Sequence, residues 1–177
     1  MKLSDAAQKF ILHWGEMGTR WGVNRTVAQI HALLFISPKA LNAEQIVETL
    51  SLARSNVSNS LKELQGWGIV KVVHLLGDRR DHFESLKDVW QMFQIVLDER
   101  KRREIDPTAL MLRESIAEMN KDKSDGYAKN KLTEMLEFFQ TTTSWYEDVR
   151  KLPTGTLYHL AKLGGKVQGL LGKKPRG

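Results

Sequence analysis

Arg54, Ser55, Asn56, Ser58, Asn59 and Lys62 are side chains suited to gripping or reading a polyanion. An Asn carboxamide can pair bidentately with adenine, an Arg guanidinium can donate twice to guanine, and Ser hydroxyls suit phosphates or bases. They alternate with Val57, Leu61 and Leu64, whose spacing places an apolar stripe on one side of a helix and the polar groups on the other. Ser and Asn are mediocre helix formers, so their concentration on one short helix calls for a reason. An ordinary solvated face would more usually carry Glu–Lys pairs. Further on, Gly77-Asp78-Arg79-Arg80-Asp81 is a polar turn with two adjacent cations. Arg79 and Arg80 at an exposed hairpin tip can reach a minor groove, where the negative potential favours arginine. A neighbouring aspartate can hold one of them by a charge-assisted hydrogen bond.

The elements that position these groups follow from periodicity and punctuation. Helices are expected over 3–20, with Ser4 as cap, and over 25–36, ended by Ser37-Pro38. Gly22 and Asn24 separate them. A short helix then starts at Asn42, where Gln45 three residues later completes a capping-box pattern. The polar helix runs from about 54 to 65 and is closed by Gly66 and Gly68. Its first position is preceded by Ala53 rather than a hydroxyl cap, so Ser51 or an outside phosphate must satisfy its first turn. Residues 69–76 are β-branched and strand-like, and 82–86 return as a second strand. A long helix over 88–104 ends in Arg100-Lys101-Arg102-Arg103. Asp106-Pro107 starts another helix, 121–126 is a loop, and 127–151 is a further long helix.

The charge distribution sharpens this division. Residues 1–87 hold 11 Lys/Arg against 8 Asp/Glu (+3), residues 88–152 hold 11 against 13 (−2), and residues 153–177 hold 5 against none (+5). A basic balance permits a polyanionic partner without requiring one. Cysteine is absent, which excludes disulfides, thiol catalysis and cysteine-based metal sites. No apolar run approaches the ~18 residues of a membrane span, and the first residues lack the apolar core of a signal peptide. His13, His31, His74, His82 and His159 show no metal-ligand spacing. The glycines at 164, 165, 169 and 172 do not fit a phosphate loop, because Leu170 stands where its lysine should be. No catalytic residues, metal or cofactor are expected.

Two groups carry open alternatives. Arg100 to Arg103 are read first as cations stabilised by a helix C-terminus, and second as phosphate contacts or dimer salt bridges. Trp14, Trp21, Trp67, Trp90 and Trp145 lie on or beside apolar stripes. They fit packing at a core and dimer interface, or an aromatic cage for a quaternary ammonium ligand.

The stretch Leu52-Ala-Arg-Ser-Asn-Val-Ser-Asn-Ser-Leu-Lys-Glu-Leu64, followed by Gly66-Trp67-Gly68-Ile69-Val70 and by Gly77-Asp78-Arg79-Arg80, resembles the recognition helix, first wing strand and wing of the MarR superfamily. Glu99-Arg-Lys-Arg-Arg-Glu-Ile-Asp-Pro107 and Trp14-Gly15-Glu16-Met17-Gly18 resemble its narrower GbsR-like branch. The resemblance covers roughly residues 5–150. It implies a mainly α fold, with a winged helix-turn-helix, a small two- or three-stranded β-wing and a helical dimerisation region. It also implies a ligand-responsive repressor acting as a dimer on double-stranded DNA, with a choline-like effector. The expected organisation is a DNA-binding domain over 1–87, with 3–20 available to a dimer interface. A dimerisation and effector region follows over 88–152, then a basic amphipathic tail over 153–177. A cytoplasmic location and no stable membrane association go with that reading. A winged-helix protein–protein adaptor and a membrane-surface protein using the tail are the rival classes.

Overall fold

The computed structural model describes residues 3–120, 126–153, 155–159 and 162–163. The amphipathic tail expected over 153–177 therefore lies largely outside the described residues, as does most of the expected loop at 121–126. The chain divides into two compact units, the first ending at Val96 and the second beginning at Leu97.

The first unit opens with helices α1 (Asp5–Arg20) and α2 (Arg25–Ile36). Ser4 caps α1 by accepting from the Ala7 amide, and Asn24, which reads in sequence only as a breaker, caps α2 through Thr26. The two helices approach closely at Gly18, where a Cβ would stand 2.5 Å from that of Ala28. Seven residues of α2 are buried, including Ile30, Leu33 and Leu34. They form one core with Ile11, Leu41, Ile46, Val57, Leu61, Leu64, Ile69, Val70 and Phe83.

Strand β1 (Leu41–Asn42) leads into α3 (Ala43–Leu50), then α4 (Arg54–Gly66), β2 (Val70–Val73) and β3 (His82–Ser85). The capping box expected at Asn42 and Gln45 forms in both directions. The sheet is antiparallel with order β1-β3-β2. In β1, Leu41 pairs with Phe83 and Asn42 with His82. This third strand has only two residues, too few for any periodicity. Gly66 stays inside α4, and Gly68 ends it at φ +76°. The Ile69 amide reaches Leu64 O and the Gly68 amide reaches Gln65 O, the paired bonds of a Schellman stop.

Lys87 ties the start of the next segment to the end of α2. Its Nζ donates to the carbonyls of Leu34, Phe35 and Ser37 at 2.7, 2.9 and 2.7 Å, satisfying acceptors that the helix end leaves open. Helix α5 (Val89–Arg100) follows, and its Ile95 and Val96 pack against the first core.

In the second unit the chain does not leave the helix before Asp106-Pro107, as the sequence reading expects. A π-helical segment (Lys101–Ile105) joins α5 to α6 (Asp106–Met119). Proline cannot donate to the carbonyl of residue 103 and crowds it. The wider i→i+5 turn, closed by the Asp106 amide on Lys101 O, accommodates it. The helix-terminus account of Arg100–Arg103 is thereby overturned, since no terminus is present. Arg100 pairs with Glu104, Lys101 with Asp106 and Glu147, and Arg102 and Arg103 with Glu99. Helix α7 (Gly126–Arg150) packs along α6 and buries none of its residues fully. Among the described residues no helix is long and apolar enough to cross a membrane.

Candidate nucleic-acid interface

Helices α3 and α4 are joined by Ser51-Leu52-Ala53, the short connection of a helix-turn-helix. Ser51 takes a left-handed conformation (φ 52°, ψ 44°), a position that glycine fills without strain. It does not cap α4, and Ala53 offers no side-chain bond. The first-turn amides of α4 thus remain available to an outside acceptor, and phosphate is the anion such helix starts commonly take.

At 100° per residue, burial of Val57, Ser60, Leu61 and Leu64 turns the opposite stripe outward. Ser55, Asn59 and Lys62 occupy its centre, Arg54 and Ser58 lie on one flank, and Asn56 lies on the other. All six are exposed. Arg54 pairs with Glu44 of α3. The side chains of Ser55, Asn56, Ser58, Asn59 and Lys62 hold no hydrogen bond or ion pair among the described residues. Asn56 and Asn59 also line a groove of about 220 Å3 beside Asn24 and Thr26 at the start of α2. Glu63 shares this groove, and the sequence reading includes neither it nor the α2 end.

The wing is braced from beneath. Asp78 accepts from the Arg80 backbone amide at 3.0 Å, from Arg80 Nε at 2.9 Å and from Arg80 Nη2 at 2.6 Å. The Arg80 hydrogen bonds hold the Asp78 carboxyl well below the usual carboxylate range, and the same contacts raise the Arg80 guanidinium further. Buried His82 bonds the Arg80 carbonyl through Nδ1 at 2.9 Å and sits 3.6 Å from Asp78 through Nε2. Arg79, by contrast, is exposed with no ion pair among the described residues. So one arginine is fixed in direction and the other is free to follow a partner.

Four of the five tryptophans lie in the first unit, and Trp145 lies in the second. Trp14 stacks edge-on with Trp21 at 6.2 Å and lies 6.4 Å from His31. Trp67 packs against the first core, Trp90 is half-buried on α5, and Trp145 is exposed on α7 in the second unit. Trp14 lines an aromatic cavity of about 190 Å3, with Phe10, His31, Phe35, Val89 and Met92. Burial pushes the His31 imidazole down to about 4, with the Lys87 charge adding to it, and its Nε2 has no hydrogen-bond partner. Among the described residues no group of three or more His, Asp or Glu could hold a metal.

The model of the MarR family matches residues 21–81, the span from the end of α1 to the wing. No curated protein matches the chain. A crystal structure of a transcriptional regulator aligns over 89% of this chain and 99% of its own, with a TM-score of 0.64 at 16% identity. That alignment carries the fold across the second unit as well as the first. Residues 21–81 thus match the MarR family, in a chain that shares the fold of a solved transcriptional regulator along most of its length.

Proposed function

We propose that the protein is a dimeric, sequence-specific DNA-binding repressor of the GbsR-like branch, working in the cytoplasm and released by a small effector. The observation that carries the reading is the outward stripe of α4. Asn56, Asn59 and Lys62 are unpaired and exposed, beside a wing whose Arg80 is already aimed by Asp78. Ser55, Asn59 and Lys62 enter the major groove with Asn56, while Arg54 and Ser58 take its edge. Arg79 and Arg80 reach the backbone or the adjacent minor groove. Two such units related by a two-fold axis read two half-sites, and promoter occlusion follows.

The unburied faces of α5 and α7 supply the dimer contact. Phe138 and Trp145 are 64% and 65% exposed, and apolar area of that kind is rarely left in water. The effector enters the aromatic cavity at Phe10, Trp14 and Phe35, whose ring faces suit an apolar group or a quaternary ammonium headgroup.

Selection of duplexes from a random-sequence library by the purified protein tests the reading. It should return a palindromic site. Asn56→Ala with Asn59→Ala should relax its sequence preference by about 1–3 kcal/mol per lost contact, and Arg79→Ala should flatten the log–log salt slope by roughly one. Unchanged preference and slope in these variants would overturn the assignment. Binding of no duplex would leave the adaptor reading. Sedimentation at micromolar concentration should show a dimer, and a monomer that binds the palindrome without cooperativity would refute the architecture.

A further inference from the structure

Glu44 is an acid placed inside a surface otherwise built for a polyanion. It lies in the first turn of α3, two residues after Asn42. Asn42 pairs with His82 of β3, and Arg80 precedes His82 by two residues. The short β1–β3 ladder therefore brings the start of α3 beside the wing. From there the Glu44 carboxylate accepts from Arg54 Nη2 on α4, and its charge also acts on Arg80, whose main partner is Asp78. One carboxylate thus pairs with Arg54 and adds a lesser attraction on Arg80, two arginines that the DNA reading places at the interface.

Stability does not account for it. The Arg54 and Glu44 side chains are 77% and 42% exposed, and an exposed pair of that kind contributes little to folding. Its effect on a duplex is larger. A phosphate must compete with Glu44 for Arg54 and is itself repelled by the carboxylate. That penalty falls on every sequence alike, whereas base contacts from Asn56 and Asn59 offset it only on a matching one. A repulsive element that acts on all partners and is overcome by the right one raises discrimination.

We propose that Glu44 is a specificity-determining residue that masks Arg54, and weakens the pull of Arg80, towards non-cognate phosphate backbone. The proposal rests on the DNA-binding reading above. The test uses the full-length protein with Glu44→Gln and, separately, Glu44→Ala. Each is titrated across a salt series against a mixed-sequence duplex and against the duplex that wild type selects from a random library. Both variants should bind the mixed duplex roughly three- to tenfold more tightly, with a log–log salt slope steeper by about one to two. The ratio of selected to mixed affinity should fall. In an Arg54→Gln background the gain from Glu44→Gln should shrink by at least half, which mere loosening of α3 would not produce. If wild type binds DNA but both variants bind the mixed duplex no better, or the gain persists undiminished without Arg54, the role of Glu44 is overturned while the DNA reading stands. If wild type binds neither duplex, the reading itself falls, and this proposal with it.

Discussion

Helices α2 and α7 both carry apolar side chains along most of their length, yet they meet opposite fates. In α2, of 12 residues, Val27, Ala28, Ile30, His31, Ala32, Leu33 and Leu34 are all buried. In α7, of 25 residues, none is. Apolar composition alone does not make a helix part of a core; neighbours on several sides do. Helix α2 is covered by α1, α3, α4 and β3, whereas the described neighbours of α7 leave Phe138 and Trp145 open. Helix α2 thus sits inside a finished core, whereas α7 keeps an open apolar face among the described residues.

The sharpest way to break this contrast is to truncate one residue in each helix. Leu33, with no exposed surface, should cost about 3–5 kcal/mol of unfolding free energy as Leu33→Ala, because the site cannot collapse around the void. Phe138→Ser should leave the denaturant-derived stability within about 0.5 kcal/mol when measured at concentrations where the chain is monomeric. The same substitution should weaken self-association by roughly tenfold or more in sedimentation. Comparable unfolding losses for the two variants would erase the distinction.

A second measurement probes how dry the first core is. His31 has its pKa lowered from 6.5 to about 4, chiefly by burial and then by Lys87. Between those values the unfolded chain takes up a proton that the folded chain refuses. This group's contribution is therefore full above about pH 6.5 and is lost as pH falls towards 4. The loss should be roughly 3 kcal/mol over that window at about 1.4 kcal/mol per unit. His31→Phe should flatten that part of the curve, and an unchanged acid slope in the variant would show that the cavity is wetter than the lining suggests. The smallest effect concerns Ser51. Relieving its left-handed backbone by Ser51→Gly should raise stability by about 1 kcal/mol, readable as a shift in the denaturation midpoint at constant m-value. A lower midpoint would mean that the serine side chain supports the turn.

What the sequence made legible was what it encodes locally. The capping box at Asn42, the alternation in 54–64 and the Gly68 stop each depend on residues within one or two turns, and each stands where expected. The aspartate brace also lies two residues from the arginine it holds. Strand β1 was invisible because it exists only through pairing with residues some forty positions away. Glu44 was missed for the same reason, since nothing near it in sequence points to Arg54 and Arg80 together. For the tryptophans, amphipathic spacing reports a buried side but not which neighbours each one meets there. Asp106-Pro107 opens α6 as expected, but the turn before it widens instead of ending, which no local signal announces.

That widened turn has a consequence for chain length. A π-helical closure takes one residue more than an α-helical one before the backbone bond is made, so the segment at 101–105 behaves as a single-residue insertion held within a continuous rod. Each residue of an α-helix advances the axis by 1.5 Å and turns it by about 100°. Loss of one residue here would leave ordinary α-helix with α6 in nearly the same phase, whereas closing the same residues as ordinary α-turns would rotate every side chain of α6 by about that angle relative to Leu97–Arg100. Ala109 and Leu112, now buried, would swing away from their present side. The width of the turn at 101–105 thus sets the phase of the second unit, and a single-residue deletion there should be tolerated better than one within α6.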